Sequence, residues 1–130
     1  MAQLIVIAAG VFLCTGTVLD AYYKTDEQEK KLVVKLGLLF SDINTQYVWE
    51  TMCIEHNNLQ SVMIGRNKAY KLALACGLPE RPEDASVLIG KKVQVTFGVD
   101  SNGNIRIKKY DKLNESRTVK DEGNIGKDLF

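Results

Sequence analysis

Gly90-Lys91-Lys92-Val93-Gln94-Val95-Thr96-Phe97-Gly98-Val99-Asp100-Ser101-Asn102-Gly103-Asn104-Ile105-Arg106-Ile107-Lys108-Lys109-Tyr110 is the stretch on which the fold turns. Val93, Val95, Phe97 and Val99 alternate with polar or small residues, and Ile105 and Ile107 alternate with Arg106 and Lys108. That period of two marks strands with one apolar face. Between the runs lies Asn102-Gly103, a pair that tolerates the positive φ of a tight primed turn, so a β-hairpin is expected. Its polar face and rim carry Lys91, Lys92, Arg106, Lys108 and Lys109, closed by Tyr110. Cations beside aromatics on an open sheet suit a chain of phosphates and bases. They equally suit a solvated sheet face.

Upstream of the hairpin the period is nearly four. Asn57 and Asn58 are good N-caps, and Leu59, Val62, Met63, Ala69, Leu72, Ala73 and Cys76 recur at helical spacing. Gly77 stands at the C-cap and Pro79 follows it, so the helix should end there. Its polar side includes Arg66, Asn67, Lys68 and Lys71.

Before the helix the period is two again. Gly16 opens a strand-like run through Lys24. Lys30 to Phe40 reads as a long strand with Leu32, Val34, Leu36, Leu38 and Phe40 on one face, and Lys31, Val33 and Lys35 on the other. Gly37 marks a bulge or bend. Gln46 to Glu55 sets Val48, Met52 and Ile54 against Tyr47, Trp49 and Thr51, although Glu50 falls on the apolar side. The apolar run Leu4 to Cys14 is too short to span a bilayer, and no Lys or Arg precedes it as in a signal peptide. It reads as a buried strand with its approach, either a sixth strand or an extension of the first.

The order is three strands, one helix, two strands. That is the connectivity of the OB-fold, a small, partly open, five-stranded Greek-key barrel, and an unrelated α+β sandwich would read similarly. Residues 1–110 form the expected domain. Residues 111–130 lose the periodicity and read as a flexible C-terminal tail.

At 130 residues, 45% apolar and 25% charged, the chain is long enough for one globular core. The net charge is only +1, but it is unevenly spread: −3 over residues 1–58, +5 over 59–110 and −1 over 111–130. The basic excess coincides with the helix and hairpin, where a polyanion site would concentrate potential. Cys14, Cys53 and Cys76 are isolated, an odd count that fits a reducing cytoplasm better than secretion.

Chemistry-bearing motifs are few. Gly90-Lys91-Lys92 and Gly126-Lys127-Asp128 lack the phosphate-loop frame, and no dinucleotide fingerprint exists. His56, the single histidine, follows Cys53 by three residues without the other half of a zinc site, so no metal and no cofactor is expected. No acid orients Cys53 and His56 as a nucleophile pair, and no catalytic residue is named. Binding fares better. Lys31, Lys35, Tyr47 and Trp49 share the faces opposite the main aliphatic rows, where stacking on an aromatic contributes about 1–3 kcal/mol per base. Trp49 is either such a platform or core, since burying a tryptophan removes much apolar area from water.

Four elements in order resemble a known group: Trp49-Glu50 on a strand; His56-Asn57-Asn58 leading into a helix with Ile64-Gly65-Arg66; Ala75-Cys76-Gly77-Leu78 at its end; and Leu88-Ile89-Gly90-Lys91-Lys92-Val93 opening the hairpin. Over roughly Gly16 to Tyr110 the chain resembles a family of phage-borne proteins, long catalogued as a domain of unknown function and treated as OB-fold single-stranded-DNA-binding proteins of phage replication or recombination. The resemblance implies an OB-fold, no catalytic residues and a groove for single-stranded DNA. Arg66 joins the lysines, Arg106 and aromatics above as candidate nucleic-acid contacts, and a homo-oligomer in the bacterial host cytoplasm is expected, with no membrane partner. The end of the chain is similar to bacterial single-strand-binding proteins: Asp121-Glu122 and then Asp128-Leu129-Phe130 would present a terminal phenylalanine to replication or recombination proteins. It departs from them in carrying Lys120 and Lys127 and no proline. The alternative function is a protein-interaction module on an OB or α+β scaffold, contacting a host or phage protein through Leu129 and Phe130 or the N-terminal apolar segment.

Overall fold

The computed structural model describes residues 4–113. Its elements are β1 (Ile5–Ala8), β2 (Val11–Thr25), β3 (Lys30–Ser41), β4 (Asn44–Glu55), α1 (Leu59–Ala75), a single 3-10 turn (Ala85–Leu88), β5 (Lys92–Val99) and β6 (Ile105–Lys112). All pairings are antiparallel, in the order β4-β3-β2-β5-β6, with β1 added to β2. The sheet curls into a half-barrel, an OB-like all-β fold with one helix. The three-strand meander, then helix, then hairpin is the order expected from the sequence.

The long central strand explains how the sheet rolls. β2 pairs with β3 over Thr15–Thr25 and, on its other edge, with β5 over Val11–Thr17. A strand shared in this way must bend, and it does so at a bulge where Leu19 has no partner between Val18 and Asp20. The expected bend at Gly37 is therefore a property of β2. Gly37 keeps its register in β3, and the Leu19 side chain occupies the space beside it, 3.1 Å from where a Cβ would stand.

Val18, Leu32, Val34, Leu36, Leu38, Met52, Ile54, Val93, Val95 and Phe97 line the interior. Phe97 stacks between Phe12 and Phe40, with centroids 5.4 and 5.6 Å away. Helix α1 packs against both β4 and β6, the two edges that do not pair with each other. Asn58 caps it, its side chain accepting from the Ser61 amide. Gly65 lets it come very close to β4: a Cβ there would stand 2.0 Å from the Cys53 carbonyl oxygen. The connector after the helix is pinned by Tyr23, whose hydroxyl donates to the Pro82 carbonyl and accepts from Arg81.

Several expectations need correction. Leu4–Cys14 is not one buried strand. Gly10, at φ 72°, turns the chain between β1 and β2, so the run supplies both a sixth strand and an extension of the first, and β1 is exposed throughout. Gly16 is therefore interior to β2, packed under Val95 and Leu38, rather than a strand opening. On α1 the buried positions are Val62, Gly65, Ala69, Leu72, Ala73 and Ala75, whereas Leu59 and Met63 face solvent. The β5–β6 connection is wider than a two-residue primed turn. Only Gly103 has positive φ, and the Asp100 carboxylate accepts from the amides of Asn102 and Asn104.

Candidate functional site

Alternation along β3 and β4 places Lys31, Lys35, Tyr47 and Trp49 on the outer face of the barrel. Register sets Lys35 opposite Trp49, and Gly37 opposite Tyr47. The Lys35 ammonium lies 5.2 Å from the Tyr47 ring centroid and 5.7 Å from that of Trp49, within cation–π range of both. Tyr47 is 63% and Trp49 53% exposed, so the tryptophan is a surface ring and not core. Its neighbours Val48 and Glu50 take the inward side. Lys31 is held by Glu29 at 3.1 Å.

A third ring joins from β2. Counting by twos from buried Val18 would turn Tyr22 inward. The extra residue at Leu19 reverses the parity, so Ala21 and Tyr23 point in while Tyr22, opposite Val33, is exposed on the outer face. Lys24, opposite Lys31, follows it. The outer face of β2, β3 and β4 thus presents three rings with three lysines, of which Tyr22 and Lys24 were not anticipated.

The hairpin cations lie elsewhere. Three strands separate β6 from β4 in the sheet. Arg106 donates to Asp100 at 2.9 Å, and Lys109 approaches Asp111 at 3.6 Å. Lys108 and Lys109 join Asn67, Lys68 and Lys71 of α1 around a cleft of about 330 Å³. Lys68 and Lys71 belong to the polar side of the helix and are not among the individual contacts expected from the sequence. Lys68 itself pairs with Glu50 at 3.7 Å. Lys91 and Lys92 are exposed where β5 begins, Lys92 opposite Thr17. Arg66 has a structural task, its Nε donating to the Ile54 carbonyl at 2.7 Å, which ties α1 to the end of β4. Tyr110 is in the core, its hydroxyl without a hydrogen-bond partner among the described residues, and offers no face for stacking. Of the sequence candidates, Lys31, Lys35, Tyr47 and Trp49 share the outer face of β3–β4, and Lys108 and Lys109 line the cleft between α1 and β6, while Arg66, Lys91, Lys92, Arg106 and Tyr110 join neither group.

Burial raises the Glu50 carboxyl above its ordinary range, against the opposing pull of Lys68 and Arg106. Burial likewise pushes the Cys14 and Cys76 thiols up to about 11, so both remain protonated near neutrality. His56 accepts at Nδ1 from the Asn58 amide, beside the acidic β2–β3 turn. Asp26 in that turn is lowered by the amides of Gln28 and Glu29. Among the described residues no cluster of His, Cys, Asp and Glu gathers to hold a metal, and no helix is long and apolar enough to cross a membrane. Asp128, Leu129 and Phe130 lie outside the described residues. Comparison with family models, with curated proteins and with solved structures yields no match for this chain.

Proposed function

We propose that this protein binds single-stranded DNA without catalysis, in phage replication or recombination within the bacterial cytoplasm. The observation that carries the reading is the outer face of β2–β4: Trp49, Tyr47 and Tyr22 exposed together, with Lys35 held between the first two rings. β3 and β4 are the second and third strands of the OB-like barrel, the face on which that fold takes oligonucleotides. Bases stack on the rings in any sequence because every base has a π-face. Lys24, Lys31 and Lys35 neutralise the phosphates that follow, and the counterions they release make affinity salt-dependent.

Trp49 is the only tryptophan, so its fluorescence reports this face directly. Titration with an unlabelled single-stranded oligonucleotide should quench it, with affinity falling linearly in log-log terms as salt rises. A protein partner held by apolar contacts would leave the oligonucleotide without effect. Absence of quenching, or binding indifferent to salt, would refute the reading.

A further inference from the structure

The first charged residue of the chain is Asp20, and the structure gives this uncharged N-terminal run an unusual place. The Leu4 amide donates to the Phe40 carbonyl at 3.3 Å, so β1 runs on beyond the end of β3. It pairs with β2 on one side only, and its other edge has no strand among the described residues. Ile5, Val6 and Ile7 are 50%, 64% and 51% exposed, so both faces of the strand meet solvent. Strands with apolar residues on both faces are ordinarily buried on both. The same end of the barrel carries the β3–β4 and β5–β6 turns, adding Ile43, 97% exposed, and Val99.

An unpaired strand edge invites another strand, and monomeric proteins blunt such edges with lysine, proline or a covering loop. Ile5–Ala8 has no lysine or proline and lies exposed, and its four-residue length with the bulge between Val6 and Ala8 limits the free edge to a short ladder. We infer that this edge is a dimer interface, in which β1 pairs antiparallel with β1 of a second copy about a two-fold axis. Three features select a second copy over another occupant. The antiparallel ladder is self-complementary, so one two-fold operation satisfies both free edges. No charge lies between Leu4 and Leu13, so like meets like without repulsion. The five aliphatic side chains expose roughly 100 Å² each, so complete cover of them in a symmetric pair would bury on the order of 1,000 Å², the size at which specific interfaces begin. The inference stands apart from the DNA-binding reading, since β1 projects from the end of the barrel while the aromatic face lies along its side.

Sedimentation equilibrium on the full chain, over roughly a hundredfold range of concentration, tests it. The expected mass is twice the 14.5 kDa of one chain at the upper end, falling toward one chain on dilution. Val6→Lys should remain at the mass of one chain throughout, while retaining its circular dichroism and Trp49 emission. Hydrogen exchange on the unaltered protein gives a second readout: the amides of residues 5–8 should gain protection as concentration rises. A single-chain mass at every concentration would overturn the inference. So would a dimer that persists in Val6→Lys or leaves the β1 amides unprotected, and so would growth into ever larger species, which a closed two-fold pair does not allow.

Discussion

Replacing Trp49 by alanine separates binding from stability, because the ring stands half out of the protein. If it stacks on a base, its removal should cost about 1–3 kcal/mol of binding, or roughly 5- to 150-fold in affinity. A wholly buried tryptophan replaced by alanine loses about 3–5 kcal/mol of stability. Trp49 has only half of its surface to lose, and its exposed contact with Lys35 contributes about 0.5–1 kcal/mol. Half of the fully buried loss, the Lys35 contact included, is about 1.5–2.5 kcal/mol, a melting shift of roughly 5–10 °C in a domain of this size. The variant lacks the intrinsic probe, so binding is read from the fluorescence anisotropy of a labelled oligonucleotide, and stability from thermal unfolding. Affinity unchanged within twofold would remove Trp49 from the site. A stability loss in the 3–5 kcal/mol range would show that the ring supports the core, and the stacking argument would fall with it.

Gly65→Ala should destabilise the fold by at least about 2 kcal/mol in denaturant unfolding, because the added methyl meets rigid β4 backbone at Cys53; a neutral result would refute the close helix–strand contact. Lys24→Glu with Lys35→Glu should flatten the salt slope of oligonucleotide binding by roughly 0.7 per lost phosphate contact. Lys71→Glu with Lys108→Glu should leave that slope unchanged, and an equal loss from both pairs would mean that the strand also enters the α1–β6 cleft. Glu50→Gln bears on pH. A carboxyl raised by burial favours the folded state only while protonated, so this contribution is full below its ordinary value of 4.5 and is lost as pH rises through the raised value. Glutamine should therefore increase unfolding free energy at neutral pH and have little effect near pH 3. A gain that is the same at both pH values would rule out Glu50 titration as its source.

Much of this was legible along the chain because strands and helices have different periods. The alternation in Lys30–Phe40 and Val93–Phe97 set their inward faces, and Asn58 and Gly77 bounded the helix, all through local backbone and side-chain geometry. The same count set Tyr47 and Trp49 on the face opposite Val48 and Met52 but left Trp49 open between platform and core. Its exposure in the structure decided that, and Glu50, which faces inward, is compensated there by Lys68. What depends on contacts between distant segments was not legible. The bulge at Leu19, which turns Tyr22 outward, arises where one strand serves two neighbours, and nothing in Val18-Leu19-Asp20 announces it. The basic hairpin read as a single surface with the aromatics, yet strand order puts β6 at the opposite edge and sends Lys108 and Lys109 toward α1. Tyr110 closes the quoted hairpin and looked like a stacking ring; a second bulge, between Thr96 and Phe97, sets it opposite Val95 and turns it into the core. Leu4–Cys14 is apolar enough for an interior, but Gly10 folds Ile5–Ala8 out to solvent while Phe12 and Cys14 reach the core. Local sequence determined which segments became strands and helix and which faces were apolar, because period and capping act within a few residues. Only the tertiary structure decided which of those faces meet, because strand order and bulges are set by packing between residues far apart in the chain.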